Sequence, residues 1–153
     1  MASLRIGDPA PDFQGQTEGR NVRLSDYRGR YLVIYFYPKA FTPGCTRETL
    51  RFRDNYQELR ALGADVVGVS SDQPEVQCEF ATHTQVQFPL IADRHDLISA
   101  LYGAKRKLLP FDKRVTFIVD PEGRIAARFE HEFQVSKHLD DVLGFLRKQM
   151  RRK

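Results

Sequence analysis

The sequence predicts an α/β protein with a mixed central β-sheet flanked by helices, and three stretches carry that expectation. Tyr31–Leu62 followed by Ala64–Ser70 reads as strand, helix, strand, an order that implies a parallel pair joined by a right-handed crossover. Val115–Val119 and Arg124–Phe129 flank Asp120-Pro-Glu-Gly123, a type I turn with Pro second and Gly fourth, and read as an antiparallel pair. Leu139, Val142, Leu143 and Leu146 lay a helical stripe from Ser136 onward. Together these units require a sheet that mixes parallel and antiparallel neighbours under helices on both faces.

From the N-terminus, Pro9-Ala-Pro11 is an extended lead-in, because a proline bars the residue before it from the helix. Phe13–Gln16 and Asn21–Leu24 are expected to form a short hairpin across Thr17-Glu-Gly19, and Ser25–Gly29 a turn. Tyr31-Leu-Val-Ile-Tyr-Phe-Tyr37 is seven uninterrupted apolar residues closed by Pro38, the mark of a strand buried on both faces. A loop, Pro38–Gly44, leads into a helix with Thr42 as N-cap and Pro43 at its first position. Phe52, Tyr56, Leu59 and Leu62 recur on one face of that helix and Gly63 stops it. Asp72-Gln-Pro-Glu75 has the form of a second helix start, with Asp72 as cap and the helix running to about Thr84. Phe88–Ala92 reads as a short strand and Leu97–Tyr102 as a short helix ending at Gly103.

At 153 residues the chain is expected to form one domain over 1–153 with a full core. The longest apolar run is far below the ~20 residues of a membrane span. The N-terminus lacks the apolar core of a secretory signal, so a cytoplasmic protein without a membrane partner is expected. Two cysteines outside any C-x-x-C do not make a structural disulfide framework. The net charge of +4 owes much to Arg147–Lys153, read as a solvated helix end rather than a nucleic-acid site. His83, His95, His131 and His138 are scattered and none is spaced with a cysteine as in zinc sites, so neither a metal nor an organic cofactor is expected.

Cys45 falls in the first turn of a helix at the carboxyl end of a buried strand. The unpaired N–H groups there carry about half a positive charge, which favours an anion. Helix N-termini can draw a thiol's pKa from about 8.5 to below neutrality, making a reactive thiolate. Glu48 lies one turn along. On a helical wheel Val76 and Phe80 lie within about 40° of each other and Cys78 roughly 160–200° away, which puts Cys78 on the polar side.

The stretch Tyr35-Phe-Tyr-Pro-Lys-Ala-Phe-Thr-Pro-Gly-Cys-Thr-Arg-Glu48 resembles the active-site signature of the peroxiredoxins, in their bacterioferritin-comigratory-protein (PrxQ) branch. The likeness continues through Phe52–Tyr56, Phe88–Asp93, Arg114–Asp120 and the closing helix. It implies the thioredoxin-like fold and a thiol peroxidase in which Cys45 attacks a hydroperoxide and becomes a sulfenic acid. By the same resemblance the Thr42 hydroxyl is aimed at the thiolate and the incoming oxygen, and Pro38 shields the thiolate from water. Arg114 corresponds to the second active-site arginine, Glu48 to the acid that holds it, and Pro43 and Gly44 to positioning residues. The chain departs from the pattern at Leu50, where many members carry a resolving cysteine. Cys78 is then the candidate resolver, with an idle surface thiol as the competing reading. A Cys45–Cys78 disulfide needs Cα atoms within about 7 Å, so the first turn after Thr42 is expected to unwind, with the Cys78 helix the second segment in play. A thioredoxin-type reductant is implied, on a monomer or weak homodimer. Alternatives are a one-cysteine peroxidase resolved by an external thiol, a thiol–disulfide oxidoreductase and a non-catalytic binding module. Phe41 and Phe111 are open between lining a pocket and lining a dimer contact.

Overall fold

Among the residues described by the computed structural model (4–17, 20–93, 95–106, 112–131 and 134–152), a five-stranded mixed sheet lies between two layers. Its strands are β3 (Tyr31–Phe36), β4 (Ala64–Ser70), β5 (Leu90–Ala92), β6 (Val115–Val119) and β7 (Ile125–Glu130), in the order β5-β4-β3-β6-β7. β3 pairs parallel with β4 and β4 with β5, whereas β3–β6 and β6–β7 are antiparallel. A separate hairpin, β1 (Gln14–Thr17) and β2 (Arg20–Arg23), precedes them; the expected turn residues Glu18 and Gly19 lie outside the described residues. Ser25–Gly29 begins as a 3-10 turn over Leu24–Tyr27.

The apolar run of β3 follows from its central position, since successive side chains serve opposite faces. Val33, Tyr35 and Tyr37 enter one core with Phe52, Leu59, Phe80, Leu139, Val142 and Leu146. Leu32, Ile34 and Phe36 enter the other with Val67, Phe117, Ile98 and Tyr102. The helices α1 (Pro43–Asp54), α2 (Tyr56–Ala61), α3 (Pro74–Thr84) and α5 (Ser136–Arg151) serve the first core, and α4 (Leu97–Tyr102) the second. No helix among the described residues is long and apolar enough to cross a membrane.

Two expectations are corrected. The single helix expected from Thr42 to Gly63 is broken at Asn55, whose backbone leaves the helical region (φ −111, ψ 11). The Asn55 side-chain amide donates to the Arg51 carbonyl at 2.8 Å, offering the backbone a local alternative to helix. α2 then settles where Tyr56 and Arg60 donate to Asp65 on β4. Asp72 does not cap α3; Gln73 occupies that position with Pro74 following. The Asp72 carboxylate is spent elsewhere, accepting from the Ala40 N–H at 2.7 Å and the Ser70 hydroxyl at 2.6 Å. It therefore ties the loop before α1 to the end of β4.

The segment entering β6 holds a buried acid, Asp112, two residues before Arg114. Neither carboxylate oxygen has a hydrogen-bond partner among the described residues. Burial, then Asp93 and to a lesser degree Asp96 and Asp72, push its pKa up to about 7, against an opposing influence from Ser99. The folded protein thus keeps a proton that the unfolded chain releases above about pH 4. Stability from this group is complete below that pH and is lost as pH rises through 7. With a shift of about three units the loss approaches about 4 kcal/mol. Asp112→Asn is expected to leave the thermal midpoint nearly unchanged at pH 4 and raise it by about 5–15 °C at pH 8. Equal shifts at both pH values in a melting series would contradict this.

Candidate active site

The loop after β3 delivers Cys45 to the third position of α1. Thr42 precedes the helix in extended conformation, Pro43 opens it, and the first intrahelical bond runs from the Thr46 N–H to the Thr42 carbonyl at 2.9 Å. The N–H groups of Gly44 and Cys45 lie ahead of that bond, in the turn where a helix leaves donors for an external acceptor. The Thr42 side chain makes no capping bond. Its hydroxyl donates to the Lys39 carbonyl at 2.7 Å, so Thr42 holds the expected N-cap position without the side-chain capping bond, and its lone pairs remain acceptors. Pro38, half-buried, ends the strand side of the same loop.

Cys45 is 0% exposed and belongs to the first core. It is not sealed in hydrocarbon, because Arg114, 7% exposed, brings its Nη1 within 3.5 Å of the Cys45 Sγ and donates to it. The same Nη1 donates to Glu48 Oε1 at 2.9 Å, and Glu48 is 1% exposed. Burial works against the charge of Arg114. Glu48 and the Cys45 sulfur outweigh it and hold the guanidinium pKa above its ordinary value. Arg114 and Glu48 are 66 positions apart, brought together because β6 pairs with β3, the strand whose following loop leads into α1. Gly44 permits the approach, since a Cβ there would stand 3.1 Å from Arg114 Nη2.

The sequence placed His138 among scattered histidines; the structure puts it behind Glu48. It is fully buried, with Nδ1 3.8 Å from Glu48 Oε2. Its Nε2 donates to the His131 carbonyl at 2.9 Å, so in the neutral ring Nδ1 accepts from the Thr116 hydroxyl at 2.8 Å. Burial pushes His138 down to about 4. With that ring neutral, the charged partner that meets Glu48 here is Arg114, at 2.9 Å. His131 and His138 are in fact neighbours, with ring centres 5.1 Å apart. Only their fold in three dimensions reveals this, because His131 precedes α5 and His138 lies within it. No group of three or more His, Cys, Asp or Glu among the described residues is arranged to hold a metal.

Cys78 is exposed on α3, while Gln77 and Phe80 on its other side are buried. Gln77 accepts from the Tyr37 hydroxyl at 2.6 Å and donates to the Ile91 carbonyl at 2.8 Å. Both cysteines are free thiols. The site therefore joins Cys45, Arg114 and Glu48 directly, and leaves Cys78 on a neighbouring helix of the same face, turned outward. Phe41 lies in the loop, and Phe111 lies outside the described residues.

What the buried constellation can do is chemically narrow. A cationic donor fixed beside a sulfur in a helix's first turn stabilises negative charge there, and on an oxygen arriving next to it. The model of the AhpC/TSA family matches residues 6–128 of the chain. Peroxiredoxin Bcp of Escherichia coli (strain K12) is 36% identical over 154 residues, covering 96% of this chain and 98% of the relative. Among solved structures, Peroxidoxin BcpB from Mycobacterium tuberculosis superimposes with a TM-score of 0.88 at 35% identity, over 95% of this chain and 97% of that one. Xanthomonas campestris Bacterioferritin Comigratory Protein, studied for its alkyl peroxide reduction activity, gives 0.85 at 30% identity over 97% of each chain.

Proposed function

The chain belongs to the AhpC/TSA family and, within it, to the Bcp/PrxQ peroxiredoxins, and from that premise we propose that Cys45 is its peroxidatic sulfur and Cys78 the resolving one. The protein is a thiol peroxidase that consumes hydroperoxides at the expense of a thiol reductant. The observation that supports the assignment is the Arg114 guanidinium, 3.5 Å from the Cys45 sulfur and anchored by Glu48.

In the first step the Cys45 thiolate attacks the terminal oxygen of R–O–OH. The S–O bond forms as O–O breaks, and the departing alkoxide takes a proton to leave as ROH, or as water from hydrogen peroxide. Arg114 stabilises the charge that moves from sulfur to the departing oxygen. Lone pairs of the Thr42 hydroxyl and the N–H groups of the first turn orient the peroxide. Pro38 covers one side, and Pro43 and Gly44 fix the turn. In the second step the Cys78 sulfur attacks the sulfenic sulfur, the S–S bond replaces S–O, and water leaves. A thioredoxin-type dithiol then reduces the disulfide by exchange and is itself oxidised. A reducing, cytoplasmic setting would suit a cycle that returns both cysteines to thiols, and residues 1–153 act as one catalytic domain.

Thioredoxin-coupled turnover of hydrogen peroxide by the parent and by Cys78→Ser tests the pairing. The expected result is at least a tenfold lower steady-state rate in Cys78→Ser, with the first oxidation of Cys45 retained. Parental turnover in that variant would instead assign the protein as a one-cysteine peroxidase with Cys78 a bystander.

A further inference from the structure

The loop that carries the peroxidatic cysteine contains a residue no catalytic step uses. Phe41 has a positive φ of 65°, in the left-handed region that side chains other than Gly, Asn and Asp avoid. The residue is 45% exposed, so burial alone does not account for the conformation. The ring instead stands edge-on to Phe80 with centres 5.1 Å apart, and 5.6 Å from the ring of His83. Both partners belong to α3, the helix of Cys78. Phe80 in turn meets Tyr37, which stacks on Tyr35, which stacks on Phe52 of α1. One end of this row of rings is thus the loop immediately before Cys45, and it is anchored to α3 on the way.

From this geometry we infer that Phe41 is a latch between the two cysteine-bearing helices, a positioning residue that times the meeting of Cys45 with Cys78. The inference rests on Cys78 being the resolver. Cys45 is wholly buried and Cys78 faces outward, so neither sulfur reaches the other until the start of α1 and α3 give way. While Phe41 sits on Phe80 and His83, movement of either segment breaks the same ring contacts, so the two are released together. The left-handed backbone adds a bias: its strain is held only as long as the ring contact persists, and opening relieves it. The latch acts on the condensation step, in which the S–S bond forms between Cys78 and the sulfenic sulfur of Cys45 and water departs.

The test uses the full chain, reduced, and mixed rapidly with hydrogen peroxide. Samples are quenched in acid with N-ethylmaleimide and read by intact mass. The sulfenic form carries one added oxygen and one maleimide, and the disulfide carries neither. Phe41→Ala, which loses the ring and with it the contact that holds the strained backbone, is expected to convert sulfenic acid to disulfide about 3–10-fold faster than the parent, the span of one aromatic pair. Phe41→Tyr, which keeps the ring, is expected to stay within about twofold of the parent, as a conservative replacement of the same pair. A disulfide that forms in the parent at the same rate as in Phe41→Ala overturns the latch and leaves the resolver assignment standing. A parent that forms no intramolecular disulfide overturns both. Hydrogen exchange of the reduced proteins supplies the readout of coupling. In Phe41→Ala, protection at Thr46 and at Gln77, the first bonded N–H of each helix, is expected to fall together. A fall confined to Thr46 would also overturn the latch.

Discussion

Cys45→Ser is expected to abolish hydroperoxide reduction, with kcat/KM falling at least about 10³-fold whichever reductant is supplied. A serine hydroxyl is not ionised at neutral pH, so Arg114 would face a neutral oxygen and no anion would be available to attack. The replacement is nearly isosteric at a buried position and is expected to leave the cooperative melt intact. Coupled peroxide assays with matched melting curves check both halves. Residual turnover above one per cent of the parent would mean that another group, Cys78 first among them, takes the peroxide oxygen.

The second large effect is at Arg114. Removing the donor at 3.5 Å from the sulfur is expected to slow the oxidation of Cys45 by about 10²–10³-fold, the usual cost of losing one aimed donor at a developing charge. Arg114→Ala alone would also break a buried ion pair by removing one member, at about 3–5 kcal/mol of stability. The double variant Arg114→Met with Glu48→Gln avoids that complication by removing both charges. It is expected to fold and still to show the slow oxidation in single-turnover quenched-flow. A double variant that reacts at the parental rate would remove Arg114 from the reaction and reduce the ion pair to a structural role.

The elements whose evidence is local were legible in the chain. The β3 run needed only its uninterrupted apolar residues, and the outward face of Cys78 only the 3.6-residue period of α3, with Gln77 and Phe80 buried beside it. Proline and glycine punctuation placed Cys45 in a first turn and ended α4 at Gly103, which is left-handed at φ 70°. The misreadings share one cause, a polar side chain recruited by something its own segment does not reveal. Asn55 captured a carbonyl one turn back and broke a helix whose apolar spacing ran straight through. Asp72 looked like a cap and became a staple for a loop 32 positions away. Thr42 kept its place at the helix start but turned its hydroxyl to Lys39. His138 behind Glu48, and the ring of Phe41 on α3, are products of tertiary contact with no periodic signal in the chain. The pairing of Arg114 with Glu48 lay outside local pattern too, and only the likeness to a known signature pointed to it.

Hydroperoxide reduction is assigned to one sulfur, and oxygen transfer to that sulfur can be observed directly. Reduced Cys78→Ser, given one equivalent of hydrogen peroxide and then dimedone, is predicted to carry a single dimedone adduct on the peptide containing Cys45. In the Arg114→Met, Glu48→Gln background the adduct is predicted to appear about 10²–10³-fold more slowly. If instead the Cys45 peptide stays unmodified while peroxide is consumed by the parent, then oxygen is being transferred elsewhere and Cys45 is not the peroxidatic residue.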